Sequence, residues 1–288
     1  MSAEIDHVIL TRYNLPSLGV ESYIRAQEGW LRTRTELFEK YCVPSVAAQT
    51  NTNFRWVVYF DPESPDWLKE RISEHQAAGI FLPIFRPSVS SAELVGDLRE
   101  VTGAGGSELI TTNLDNDDGL AIDFVERLQA AAPRAPRSAL YLSRGLIKSP
   151  QGLYLRVDRF NAFCSVREPW DEPSTCWVDW HDLLRKRMPV LEISGAPSWL
   201  QVVHGTNVSN RVRGSLTTPT PYRDRFPGLL DDVPVPSRVD IARDAMLSQP
   251  LRGTRELARS IAKRAALAIL GKDGLDRAKN LLASWRRG

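Results

Sequence analysis

Leu109-Ile110-Thr111-Thr112-Asn113-Leu114-Asp115-Asn116-Asp117-Asp118 is the stretch on which the reading of this 288-residue chain turns. Its apolar and β-branched start reads as a buried strand. The strand then ends in three carboxylates within four positions. Like charges this close repel, and each ionised group must keep its water or gain a cation. A divalent ion is one remedy, because Mg²⁺ and Mn²⁺ take carboxylate oxygens. Mg²⁺ typically binds through one or two carboxylates together with substrate phosphates. The same residues are also good turn formers, and Asp118 could cap a helix starting near Gly119. From these residues alone both readings stand. An EF-hand does not fit, because the alternating acids, glycine and later glutamate of that loop are absent.

Upstream, strands and helices alternate. His7 to Tyr13 reads as a first strand, apolar without alternation, as expected where both faces are covered. Trp30 to Gln49 has helical periodicity, with Leu31, Leu37, Phe38 and Tyr41 on one side and charged residues on the other. Phe54 to Phe60 is a second strand, ending at Asp61-Pro62. Pro65 to Ala78 reads as a helix with Pro at its start and Gly79 after its end. Ile80 to Phe85 is a third strand, and Pro83 inside it points to a sheet edge. Ser91 to Val101 is helical, the acidic strand follows, and a helix is expected over about Leu120 to Ala131. This alternation implies a parallel-centred α/β sheet with helices on both faces. Ligands gather at the carboxyl ends of such strands. Thr11 and Arg12, Asp61, and Asp115 to Asp118 all fall there, which strengthens the metal reading.

After Pro133 the pattern changes. Ala139 to Ile147, Leu153 to Asp158 and Ala162 to Val166 look like short strands joined by turns, an antiparallel or mixed addition to the parallel half. Asp179 to Arg187 reads as a short helix, and Ser198 to His204 as one more strand. Thr217 to Pro236 is a Pro-rich extended loop. Two C-terminal helices are expected, about Thr254 to Leu270 and Leu275 to Arg286. The boundaries drawn are 1–132 and 133–215 for the two halves of one domain, and 216–288 for the loop and helical pair.

Composition is that of an ordinary globular chain, 42% hydrophobic and 25% charged. No run approaches the roughly 20 apolar residues needed to span a bilayer. Met1 to His7 lacks the pattern of a signal peptide. Cys42, Cys164 and Cys176 are isolated and without metal spacing, and read as reduced thiols of a cytoplasmic protein. The net charge of +2 hides an asymmetry: residues 238–288 hold twelve Lys or Arg against five Asp or Glu. This basic tail admits three readings: a solvated helical pair packed on its own domain, a homodimer contact, or peripheral contact with anionic lipid at the inner face of a membrane. Nucleic-acid binding is disfavoured, because the charge excess is confined to the tail and no recognition motif is present.

With Asp115-Asn116-Asp117-Asp118 at a strand end, Asp61 after an earlier strand, and Trp199-Leu200-Gln201-Val202-Val203-His204-Gly205 late in the chain, the sequence resembles the bacterial rhamnosyltransferases. These are glycosyltransferases of the GT-A type, and the resemblance covers about residues 5–215. It implies a nucleotide-sugar donor bound over a parallel-centred sheet with Mn²⁺ or Mg²⁺ holding the diphosphate. By that pattern Asp115 lies near the ribose or sugar. Asp117 or Asp118 and His204 hold the metal, while Thr11, Arg12 and Asp61 line the nucleotide pocket. The pattern carries an arginine two places before the first Asp, where this chain has Asn113.

The chemistry so implied is transfer of a sugar, dTDP-rhamnose being one candidate donor, to a hydroxyl of a glycan or glycolipid. A cation stabilises the charge growing on the leaving diphosphate. A general base takes the acceptor proton, on the face opposite the leaving group if the enzyme inverts. Glu168 and Asp179 are the candidate bases. Each has a plainer role, Glu168 as the partner of an arginine and Asp179 as a helix cap. His204 by itself is as good a structural histidine, His181 reads as a surface helix residue, and Gly103 to Ser107 as a connector. Trp170, Trp177, Trp180 and Trp199 suit core packing or a sugar platform. Two other functional classes stay open: a nucleotide- or carbohydrate-binding protein with a structural cation site, and a metal-dependent phosphohydrolase.

Overall fold

The computed structural model describes residues 4–16, 29–204 and 211–254. The alternation read upstream is present. Strand β1 (Ile5–Arg12) leads to helix α1 (Trp30–Leu37), which runs on through a π-helical turn (Phe38–Cys42) into α2 (Val43–Ala47). Then come β2 (Arg55–Phe60), α3 (Asp66–Ala77), β3 (Leu82–Phe85), α4 (Ser91–Thr102) and β4 (Glu108–Asn113). Helix α4 starts with a capping box, the Ser90 side chain accepting from the Glu93 N–H and the Glu93 carboxylate accepting from the Ser90 N–H.

Strands β4, β1, β2 and β3 run parallel in that spatial order, with Pro83 on the edge strand β3. Both faces of this sheet are buried. Ile9, Val58 and Phe60 pack with Phe38, Leu68 and Ile72 on one side. Val8, Leu10 and Val57 pack with Leu94 and Leu98 on the other. Two covered faces explain why β1 and β2 lack polar alternation.

The region after the acids departs from expectation. Gly119–Leu120 is a two-residue strand, β5, and the helix there is only α5 (Phe124–Gln129). Asp118 therefore caps no helix. The stretch read as one strand over Ala139 to Ile147 is two, β6 (Ser138–Leu142) and β7 (Arg144–Ser149), and they belong to different sheets. Next come β8 (Gly152–Val157), β9 (Ser165–Pro169), β10 (Val190–Ile193), β11 (Trp199–Val202) and β12 (Ser215–Thr217). Strand β9 begins where the expected strand was to end. The helix expected over Asp179 to Arg187 is only a 3₁₀ turn, Leu184–Lys186.

Strands β10, β6 and β9 extend the first sheet past β4, giving seven strands in the order β10-β6-β9-β4-β1-β2-β3. The second sheet has the order β12-β8-β7-β11-β5. Its outer face is closed by Phe226, Leu229, Leu230 and Val233. A further helix, α6 (Arg238–Arg243), was not anticipated. The expected tail helices over 254–270 and 275–286, with the dimer and membrane readings they carried, lie outside the described residues. Among the described residues no helix is long and apolar enough to cross a membrane.

Trp199 opens β11 and is wedged tightly. Its ring stacks on Phe163 at 5.2 Å, its Nε1 donates to the Leu142 carbonyl at 2.8 Å, and a Cβ placed on Gly145 would lie 2.0 Å from the indole. Gly145→Ala must therefore displace Trp199, and overpacking of this kind costs about 1–3 kcal/mol. The expected result is a lower urea midpoint with an unchanged slope. An unaltered midpoint would show that the indole yields freely.

Candidate active site

The acid-bearing turn is the crossing point between the two sheets. Leu114 N–H still donates to the Leu10 carbonyl at 3.0 Å, continuing the pairing of β4 with β1. Five residues later the chain enters the second sheet, where β5 pairs antiparallel with β11, Leu200 opposite Gly119. Two anchors hold the turn between. Asn116 Nδ2 donates to the Tyr13 carbonyl at 2.5 Å. The Cys42 thiol points at the Asp118 and Asp115 carbonyls, 2.9 and 3.2 Å away.

The three acids have different surroundings. Asp115 turns toward solvent. Even so, the protein atoms packed around it, and then the Asp117 charge, hold its carboxyl above the usual range. Asp117 is only 5% exposed. Its Oδ2 meets Arg34 Nη1 at 2.5 Å and His204 Nε2 at 2.9 Å. Burial pulls its pKa upward, but the hydrogen bond from His204 and the Arg34 charge outweigh burial, so Asp117 sits below the usual range and is ionised. Asp118 is fully buried. Its Oδ1 accepts the Val202 N–H at 2.8 Å, tying the turn to the end of β11. Its Oδ2 is a buried oxygen with no hydrogen-bond partner. Burial first, and the Asp117 and Asp115 charges second, push its pKa well above the usual range.

The remaining predicted residues divide. His204, two positions beyond β11, does reach Asp117. Arg12 lies over the Trp177 ring at 4.0 Å. Trp177 Nε1 donates to Asn113 Oδ1 at 2.8 Å, and Asn113 Nδ2 donates to Asp115 Oδ1 at 3.2 Å and the Ala162 carbonyl at 3.0 Å. Asn113 is thus a hub between the acids and the loop over 174–183. Asp179 sits on that loop, two residues from Trp177. Its Oδ1 accepts the Trp180 N–H and its Oδ2 pairs with Arg187 Nε at 3.0 Å. Asp61 lies at the carboxyl end of β2, where its Oδ1 accepts the Glu63 N–H at 2.9 Å.

Two expectations are corrected. Thr11 does not line a pocket: it is fully buried, and its Oγ1 accepts from Trp56 Nε1 at 3.0 Å. Successive strand residues point to opposite faces, so Thr11 joins the core and Arg12 does not. Glu168 does not face the acids either. The register sets it opposite Leu109, whereas Ser165 is the residue of β9 near the carboxyl end of β4. Its carboxylate is buried and taken up by Arg137 Nε at 2.7 Å and by the Ser174 and Thr175 N–H groups at 2.9 and 2.7 Å.

Reasoning from sequence missed Arg34, placed with the charged face of its helix, and Asn116, whose Oδ1 accepts from Arg34 Nη1 at 3.1 Å. It also left His181 on the surface. The structure holds its Nδ1 on the Phe160 carbonyl at 2.6 Å, with its ring near enough to act electrostatically on Asp115. Nothing in linear spacing pointed to these.

Among the described residues no group of three or more His, Cys, Asp or Glu is spaced to hold a metal. The chemistry of Asp117 and His204 nevertheless suits a hard divalent cation. They present a carboxylate oxygen and an imidazole nitrogen 2.9 Å apart. Mg²⁺ commonly needs only one or two carboxylates when phosphate and water complete its shell.

A family model described as "Putative rhamnosyl transferase" matches residues 6–216. No curated protein matches the chain. Among solved structures, S. aureus TarS 1–349 is 11% identical at a TM-score of 0.40, covering 68% of this chain and 60% of that one. The same TarS piece in complex with UDP is 12% identical at a TM-score of 0.42, covering 69% and 60%. GalNAc-T7 with UDP, GalNAc and Mn²⁺ is 12% identical at a TM-score of 0.41, covering 76% and 48%. The chain thus spans under two thirds of these relatives, and likenesses this slight carry no argument about chemistry.

The buried Asp118 carboxyl sets a pH dependence. It binds its proton more tightly in the folded chain than in the unfolded one, so its contribution to stability is full below about pH 4, the unfolded value, and is lost as pH rises through its raised folded value. Asp118→Asn removes that loss. Thermal scans of the metal-free protein should show no change near pH 4 and a gain of about 2–4 °C at pH 8. An equal shift at both pH values would show that this carboxyl does not titrate.

Proposed function

Because the chain belongs to the rhamnosyl transferase family, we propose that it transfers a sugar from a nucleotide-sugar donor to an acceptor hydroxyl, with inversion and with the help of Mn²⁺ or Mg²⁺. One observation carries this reading: an ionised, buried Asp117 whose Oδ2 lies 2.9 Å from His204 Nε2, at the carboxyl ends of the parallel strands. That is where ligands of such sheets gather.

In this reading Asp117 and His204 hold the divalent cation. Bound there, the cation would neutralise charge developing on the leaving nucleoside diphosphate. Asp115, the acid that reaches solvent, is placed to meet the donor's ribose or sugar, with Asn113 orienting it. Arg12 and Trp177 form a stacked pair beside Asn113, suited to the nucleotide side of the cleft. Asp61 lies further along the same sheet end. Of the two candidate bases only Asp179 stays, since Glu168 is consumed in the core. Asp179 must leave Arg187, an exposed partner, to accept the acceptor proton. Rhamnose is the sugar the family's description suggests, and a glycan or glycolipid hydroxyl the acceptor.

The test is calorimetric titration of the chain with UDP and dTDP, with and without Mn²⁺. Binding of a diphosphate only when metal is present is the expected outcome. Metal binding indifferent to nucleotide would leave a structural cation site instead, and hydrolysis of a phosphate ester without acceptor would mark a phosphohydrolase. His204→Ala should weaken metal-dependent donor binding, and Asp117→Asn should abolish transfer with the fold intact. Asp179→Asn should lower kcat by about 10²–10⁴, the usual contribution of a positioned base. Glu168→Gln should lower the melting temperature and leave donor binding alone.

A further inference from the structure

The acidic turn already has a cation of its own. Arg34, on α1, is 12% exposed at its side chain and reaches Asp117 Oδ2 with Nη1 at 2.5 Å. The same nitrogen donates to Asn116 Oδ1 at 3.1 Å. Its guanidinium lies 5.2 Å from the centre of the Trp30 ring. Two details of this contact matter. First, the oxygen that Arg34 takes is the one that faces His204, so a metal ion held by Asp117 and His204 must compete with Arg34 for Oδ2. Second, the nitrogen that meets Asp117 is shared with Asn116 Oδ1, and a guanidinium freed from both can offer a phosphate a two-pronged fork.

We propose that Arg34 is an exchangeable counter-ion: it holds Asp117 in the metal-free protein, yields Oδ2 to the divalent cation, and then pairs with the diphosphate of the bound donor. The inference rests on the donor reading above and adds a specific diphosphate-binding residue to it. The physical logic is one of charge. A carboxylate as buried as Asp117 is unstable without a positive partner, and Arg34 supplies one alongside the His204 contact. Once a doubly charged ion occupies Oδ2, the displaced guanidinium is repelled from it. A diphosphate held by the same ion would offer the guanidinium a compensating charge at the same turn, beside Asp115, on which the Arg34 charge already acts. Trp30 supports the guanidinium plane while Asn116, tied to the Tyr13 carbonyl, marks the start of the movement. Exchange of partners would couple metal loading to donor capture, so that neither charge is left unpaired in the closed site.

The exchange predicts effects of opposite sign, which a merely structural arginine would not produce. In calorimetric titration with Mn²⁺ alone, Arg34→Gln should bind the ion about tenfold tighter than the unsubstituted protein, because the competitor is gone. In titration with UDP or dTDP at saturating Mn²⁺, the same variant should bind about tenfold weaker or more, the size of one charged hydrogen bond. Arg34→Lys, which keeps the charge without the fork, should leave Mn²⁺ affinity near its original value and still weaken the diphosphate. Melting curves of all three proteins establish that they are folded, and Arg34→Lys carries the test if Arg34→Gln does not fold. Unchanged or weaker Mn²⁺ binding in Arg34→Gln overturns the competition, and unchanged diphosphate binding in both variants overturns the exchange. If the unsubstituted protein binds Mn²⁺ and diphosphate together while the variants match it, this inference fails and the donor reading stands. If the unsubstituted protein binds neither, both fall.

Discussion

A single oxygen, Oδ2 of Asp117, is the point on which this structure closes. It is buried, ionised, and met from one side by Arg34 of α1 and from the other by His204 beyond β11. Burying a carboxylate without such partners would cost several kcal/mol. The helix, the turn after the first sheet and the segment beyond β11 in the second thus converge on one charge. Its neighbours divide the remaining tasks: Asp118 ties the turn to β11, and Asp115 faces the solvent.

The turn can do this because it is where the chain passes from one sheet to the other. Strand β4 is central in the first sheet, flanked by β1 and β9, so its carboxyl end opens in the middle of the molecule. Strand β5 is too short to be stable alone and exists only as the edge partner of β11. That pairing delivers His204 from 87 positions away to hydrogen-bonding distance of Asp117. Trp199, wedged against Gly145 and Phe163, sets where β11 begins and so where His204 ends. Site geometry thus depends on core packing some distance from the acids.

Legibility followed the range of the forces involved. Strands β1 to β4 and the helices between them are visible in the chain because the strands are short, mostly apolar runs and the helices carry their own periodicity, with Pro65 and Ser90 marking the starts of two of them. Failures came where a neighbour overrode local preference. The residues after Asp118 look helical by composition, but pairing with β11 pulls the first two into a strand. Ser143 looks like part of one apolar run, yet it is the break between strands of two sheets. Among site residues, the acids and His204 were visible as charge at strand ends. Thr11 and Glu168 were misplaced because the face of a strand residue and its position along the neighbouring strand depend on register, which a linear pattern does not contain.

Sequence alone determined that this chain builds a parallel-centred α/β sheet and ends its fourth strand in clustered carboxylates. Those features follow from hydrophobic period and local charge, which act over a few residues. Only the tertiary structure decided which cation meets which acid. Arg34 read as one more charged residue on a helix surface, and nothing in its neighbours along the chain linked it to Asp117, 83 positions later. Its role exists because α1 packs across the carboxyl end of the sheet, and the energy that selects that arrangement comes from contacts between segments remote in sequence.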